Sequence, residues 1–306
     1  MSAMPSSTWF TAPPEWGWLV VAYYFFGGLA AGCYVIAAIA DLAGGRDMRP
    51  LVGAGYLTVL PCLFISGIVL ILDLSRPDRF WHLMLQSNTM APMFKYWSPM
   101  SIGSWALLVF GMFSLASFVS ALAEGGHVRW RWFDRIQAMR LLWRIIAILG
   151  ALAGLYIAGY TGVLLAVTNR PFWSDTAMVG MLMLVSAASI SCAYLLLLSL
   201  WRGWTAQAKR ALSRMERWTI ALELLVVVGL LVSLGDANAI WLGRWGVLLA
   251  ITVLVGMLLP LFMHLRSRTD PRGFAIAAVL VLVGGLLLRT VIVFSQRGIE
   301  PWIASY

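Results

Sequence analysis

Four side chains combine acid, phenol and guanidinium chemistry inside stretches of this 306-residue sequence that are otherwise apolar: Tyr23, Asp73, Tyr160 and Arg289. A carboxylate can exchange a proton, a phenol can donate a hydrogen bond to a ring oxygen, and a guanidinium can steady a carboxylate or an anionic ring. The set suits a ring with two oxygen substituents that takes up or loses protons together with electrons, and a quinone fits. On that reading Asp73 exchanges protons, Tyr160 donates a hydrogen bond, and Tyr23 and Arg289 complete the quinone-binding contacts. The same residues also fit a structural role, in which Asp73 and Arg289 tie two helices together and the tyrosines act as interfacial anchors.

The elements that must position them are eight long apolar runs, residues 18–43, 51–74, 98–123, 145–167, 175–201, 218–234, 240–265 and 273–295. Each is close to or above the ~20 residues that a helix needs to cross a bilayer, and helices satisfy their own backbone polar groups there. Hydrophobic residues make up 61% of the chain and charged ones 11%, which excludes a conventional aqueous surface. The expected fold is therefore an all-α integral membrane protein with eight transmembrane helices, read as one polytopic domain over residues 1–306.

Charge sets the orientation. The net charge is +9, but of the 22 lysines and arginines fifteen lie in the first, third, fifth and seventh loops and six on the opposite side, with Arg289 inside a run. That alternation is a positive-inside pattern rather than a nucleic-acid patch. It places both termini outward, on the periplasmic side of a bacterial inner (cytoplasmic) membrane. Residues 1–15 carry no basic residue and no cleavable signal pattern, so the first run is expected to stay as a span.

With that topology, depth follows from the ~1.5 Å rise per residue. Asp73 lies at the outward end of the second run, and Arg289, six residues before Ser295, about 9 Å in. Tyr23 and Tyr160 enter at similar depth from the first and fourth runs. Four helices thus contribute to one layer near the outer face. Glu223 is placed about two turns from the inner face. It reads either as part of a proton path, with Asp236 as a second member, or as a neutral buried carboxyl bonded to a neighbouring helix. Asp41 and Asp236, at helix ends, also fit simple contact with water.

The outer loop of residues 75–97 is unusual, because Arg76, Arg79, Phe80, Trp81 and His82 crowd together immediately beyond a span. Such a loop suits partner docking or the mouth of a cofactor site. Cys33, Cys62 and Cys192 lack the close spacing that holds zinc or iron–sulfur clusters. His82, His127 and His264 cannot pair across a bundle core, so neither haem nor another metal is expected in this chain. The spacing Gly28-x-x-x-Gly32 is expected to serve close helix packing.

Several of these residues fall in longer motifs. They are YFFGGLAAG from Tyr24, LDLSRP from Leu72 followed by Phe80 and Trp81, SPMSIGSW from Ser98, YTGVLL from Tyr160 and GGLLLR from Gly284. Over essentially its whole length the chain resembles the NrfD/polysulfide-reductase membrane-subunit family, and the Leu-Asp-Leu-x-Arg-Pro element is the most specific part. The resemblance implies two four-helix bundles side by side and a quinone/quinol redox subunit for menaquinone or ubiquinone. It also implies a periplasmic ferredoxin-like iron–sulfur subunit docked on the outer face, with a catalytic oxidoreductase subunit, commonly a molybdopterin enzyme, behind it. This sequence departs from the family on helix one, where Val20 and Tyr23 stand in place of an asparagine and a histidine. Two other functions compete: a redox-inactive assembly anchor, and a secondary transporter. The transporter reading lacks inverted repeats and broken helices converging at the midplane.

Overall fold

The computed structural model describes residues 16–126, 139–168, 170, 172–266 and 271–295, apart from the side chains of residues 236, 237 and 239. The two terminal segments, whose outward position the sequence predicts, lie outside the described residues. The described chain is helical, and the one antiparallel pairing in it is an isolated bridge between Leu85 and Pro92. Its long helices are α1 (Trp18–Ala43), α2 (Arg49–Leu72), α3 (Pro99–Glu124), α4 (Arg140–Ala166), α5 (Met178–Trp201), α6 (Ala206–Ser233), α7 (residues 244–266) and α8 (Pro271–Phe294).

Among the described residues, seven helices are long and apolar enough to cross a membrane, α6 being the long one outside that set. Its apolar C-terminal part is preceded by a basic one that reads as a loop in the sequence, yet the helix runs unbroken from Ala206. The cause is local. Thr205 caps the N-terminus, its side chain accepting from the Ala208 amide at 3.2 Å, a contact worth about 1 kcal/mol. Lysine and arginine then continue the helix at little propensity cost. The α6 boundary therefore moves twelve residues earlier than the apolar run suggests, from Trp218 to Ala206.

α1 is central. Of its most apolar window 72% is buried, against 22% for α3, which lies at the periphery. α1 packs on α2, α4 and α5, while α5 packs in turn on α6 and α8. The Gly28-x-x-x-Gly32 pair faces α5. A methyl at Gly28 would meet Ala187 and Arg289, and one at Gly32 would collide with Ser191 and the Ala187 carbonyl. Close packing is thus what these glycines serve.

A π-helical turn, Leu254–Leu258, interrupts α7, and within it Gly256 meets Gly284 of α8 backbone to backbone. Buried side chains form two clusters. The first gathers Tyr23, Tyr160, Trp173, Leu182 and Leu288, and the second Tyr34, Val59, Phe110, Ile157 and Leu195.

Candidate functional site

Four helices and a folded loop build one pocket. α1 brings Trp16, Val20 and Tyr23, α2 brings Leu70, Asp73 and Leu74, α3 brings Met100, Gly103, Ser104 and Leu107, and α4 brings Tyr160 and Leu164. Leu83, from the loop after α2, closes one side. The empty space between them is ≈ 590 Å³, open solvent at its mouth included. Its lining is apolar apart from the tyrosines, Ser104 and Asp73. Tyr23, Asp73 and Tyr160, three of the four side chains singled out in the sequence, therefore share one cavity.

Each is held by its own element. Asp73 caps the C-terminus of α2, one residue past the apolar span that ends at Leu72. Partial burial raises its carboxyl above the ordinary aspartate range, so it holds a proton more readily than a solvated one. Tyr160 donates to the Pro99 carbonyl at 2.6 Å, which ties α4 to the first turn of α3 and leaves the phenol oxygen able to accept. Gly103, one turn further along α3, makes room for that phenol, because any Cβ there would overlap it. The Tyr23 ring packs on Tyr24 with centroids 5.4 Å apart, and Ser66 of α2 bonds the Tyr23 carbonyl at 3.4 Å.

Arg289 is placed differently from the expectation. It is 1% exposed and does not line the pocket. Its Nε donates to the Tyr24 carbonyl at 3.1 Å, and its Nη1 to Ser186 Oγ at 3.0 Å and to the Gly285 carbonyl at 2.8 Å. Among the described residues no ion pair joins it to Asp73; the acid that faces it is Glu223. Depth along a helix can be counted from sequence, but the side that a residue faces depends on which helix packs there. Glu223 lies in the second half of α6, which begins at Ala206, beside Ser186 and Ser189 of α5 and next to Arg289. The side chain of Asp236, the other proposed proton-path residue, lies outside the described residues.

The loop after α2 is folded rather than a slack connector. Pro77–Leu83 forms a helical turn, Met93 donates its amide to the Met84 carbonyl at 2.7 Å, and Trp105 of α3 anchors the loop through the Met93 carbonyl at 3.0 Å. Arg76, Arg79 and Phe80 are exposed on it, whereas Trp81 and His82 are half-buried and in edge contact, their ring centroids 3.8 Å apart. Among the described residues, no cluster of three or more His, Cys, Asp or Glu side chains is placed to hold a metal ion. Sequence reasoning missed Gly103, Ser104 and the loop residue Leu83. The SPMSIGSW motif already contained the first two.

The family model described as "Polysulphide reductase, NrfD" matches residues 10–297. One chain of the polysulfide reductase of Wolinella succinogenes is 26% identical over 193 residues, covering 60% of the present sequence and 58% of that protein. One subunit of the selenate reductase of Mesobacillus selenatarsenatis is 25% identical over 105 residues, covering 34% of the present sequence and 22% of that protein. The matches thus span less than two thirds of the length of either relative. With its apolar helices, this likeness makes the protein a multi-pass integral membrane protein.

Proposed function

The chain belongs to the NrfD polysulphide-reductase family, and on that footing we propose that it is the quinone-reactive membrane subunit of a respiratory oxidoreductase complex in the bacterial inner membrane. The observation that carries this reading is the pocket, where an acid, two phenols and an apolar slot meet at a helix end. A bound quinone supplies two-electron, two-proton chemistry, and the protein supplies the rest. The apolar walls take the ring and exclude water. Tyr23 offers its hydroxyl to a ring oxygen. Tyr160, whose proton goes to the Pro99 carbonyl, accepts from a hydroxyl of the quinol form rather than donating to the ring. Asp73 holds or releases the proton that each oxygen needs. The residues present are thus of the types that menaquinone or ubiquinone requires.

The whole chain is one membrane unit in this proposal, with α6 as an eighth span and the helices paired as two four-helix bundles, α1–α4 and α5–α8. The basic loops orient it with both termini and the pocket on the periplasmic side. Electrons pass between the pocket and a ferredoxin-like iron–sulfur subunit on that face, which serves a catalytic subunit, commonly a molybdopterin enzyme. Its acceptor is of the class named for the relatives, a sulfur or selenium compound. The test is extraction of the purified chain with organic solvent. A quinone bound in stoichiometric amount supports the redox reading, and an intact complex that carries and turns over none would leave a redox-inactive anchor.

Two expected results follow at the edges of the site. Gly103→Ala pushes the Tyr160 phenol off its seat, and a displacement of about 1 Å at a reacting group costs roughly 10²-fold in turnover. Gly111→Ala, on the same helix, meets no atom closer than 3.7 Å and is expected to leave turnover unchanged. Equal effects of the two changes would count against the Tyr160 assignment. At the loop, Arg76, Arg79 and Phe80 present the arginine and aromatic chemistry favoured at interfaces, with Trp81 and His82 beneath them. Photo-cross-linkers at positions 76, 79 and 80 are expected to capture the iron–sulfur subunit. Capture from the loop after α5 instead would move the docking face to the other side.

A further inference from the structure

The connection between α4 and α5 reaches the pocket wall without lining the pocket itself. Its two aromatic residues, Phe172 and Trp173, are 0% and 1% exposed. Phe172 holds a left-handed backbone, φ 72°, a conformation that a bulky side chain takes only where its surroundings enforce it. Here the Asp175 carboxylate accepts from the Phe172 amide at 2.9 Å. The Arg170 carbonyl accepts from the amide and the hydroxyl of Ser174 at 2.9 and 2.7 Å, which closes the turn around Trp173.

Trp173 is fixed on two sides. Its indole N–H donates to the Ile292 carbonyl of α8 at 2.8 Å, one of the last four carbonyls of that helix, which lack an amide partner within it. Its ring stacks on Trp16, with centroids 5.2 Å apart and planes 25° from parallel. Trp16 lines the pocket but belongs to no helix. It precedes α1 across Gly17, whose backbone is extended and whose Cβ position faces open space. The helix therefore sets where Val20 and Tyr23 stand, whereas packing on Trp173 sets where Trp16 stands. Trp18, the first residue of α1, rests on Phe294 at a centroid distance of 5.0 Å. The end of α8 thus grips the start of α1 through both tryptophans.

We propose that Trp173 is a positioning residue of the pocket: it holds Trp16 in the wall from behind, and through Ile292 it ties the placement of that wall to α8. The proposal rests on the quinone reading for the identity of the ligand, not for the contact between the two tryptophans. Trp173 acts through Trp16 and moves no proton. Its removal is therefore expected to weaken binding and to spare the chemistry, because Asp73, Tyr23 and Tyr160 keep their own supports.

The test measures steady-state turnover of the complete complex with a quinol analogue. Trp173→Ala is expected to raise KM about tenfold, the upper end of what an aromatic pair contributes, with kcat little changed, as when uniform binding is lost. Trp16→Ala is expected to raise KM at least as far, and the double variant no further than Trp16→Ala alone, because the two residues act as one unit. Trp173→Phe keeps a ring behind Trp16 and is expected to restore most of the affinity. A wild-type KM in Trp173→Ala, additive rises in the double variant, or a fall in kcat with KM unchanged overturns the proposal. Circular dichroism of the purified chain without quinone separates the contact from the reading of the pocket. Two indoles stacked at 5.2 Å couple their transitions, so Trp16→Phe and Trp173→Phe are expected to remove the same paired bands. Unlike difference spectra overturn the contact, and the proposal with it, even where quinone binds. The same loss of bands in a chain that binds no quinone contradicts only the reading of the pocket.

Discussion

Asp73→Asn is expected to lower quinone turnover by roughly 10²–10⁴-fold, the loss typical of a removed acid–base group, with the complex still assembled. Asparagine keeps the shape and hydrogen-bonding reach but cannot exchange a proton. Stability should hold for two reasons. Asp73 has no ion pair with Arg289 among the described residues, so its neutralisation strands no buried charge there. It also caps the C-terminal end of α2, where the helix dipole disfavours a negative charge by some tenths of a kcal/mol. A carboxyl raised by burial and set at the wrong end of a helix costs stability and fits a functional role. Turnover with a quinol analogue, set beside native gel electrophoresis, measures both halves. An assembled variant that runs at the wild-type rate would make Asp73 structural.

Arg289→Leu is expected to act in the opposite way, on stability before chemistry. The guanidinium bridges the Tyr24 carbonyl of α1, Ser186 of α5 and the Gly285 carbonyl of its own helix. Its removal leaves these acceptors unmet and Glu223 as an acid without a facing cation. Each buried acceptor left unmet costs roughly 1–3 kcal/mol, a large share of the stability of one domain. The purified variant should melt well below the wild type or fail to accumulate. Adding Glu223→Gln to Arg289→Leu should recover part of the loss, and Arg289→Lys should recover less than the full stability, since an ammonium lacks the planar fork. A double variant no more stable than Arg289→Leu alone would show that Glu223 and Arg289 do not act together.

The spans were legible because an apolar run of bilayer length has few other uses. The expected runs 98–123 and 175–201 became Pro99–Glu124 and Met178–Trp201. Three members of the pocket were legible for the same reason, since depth can be counted along a helix whose ends are known. Azimuth cannot be counted that way. Arg289 lies level with Tyr24 but turns toward α1 and α5, where the small residues Gly285 and Ser186 admit it. The start of α6 was hidden by its own residues, because Arg214 and Arg217 made the segment read as a solvated loop although helix propensity favoured continuation. The fold of the 75–97 loop depends on long-range contacts such as Trp105 to Met93, which leave no local pattern.

The central claim is that Tyr23, Asp73 and Tyr160 surround a quinone head group. Photolabelling of the purified chain with an azidoquinone, followed by peptide mapping, tests it most directly. Label is expected in peptides carrying Trp16–Tyr23, Leu70–Leu83, Met100–Leu107 and Tyr160–Leu164, and excess unlabelled quinone is expected to displace it. Displaceable label confined to other segments, such as the α6–α7 region, would contradict the account.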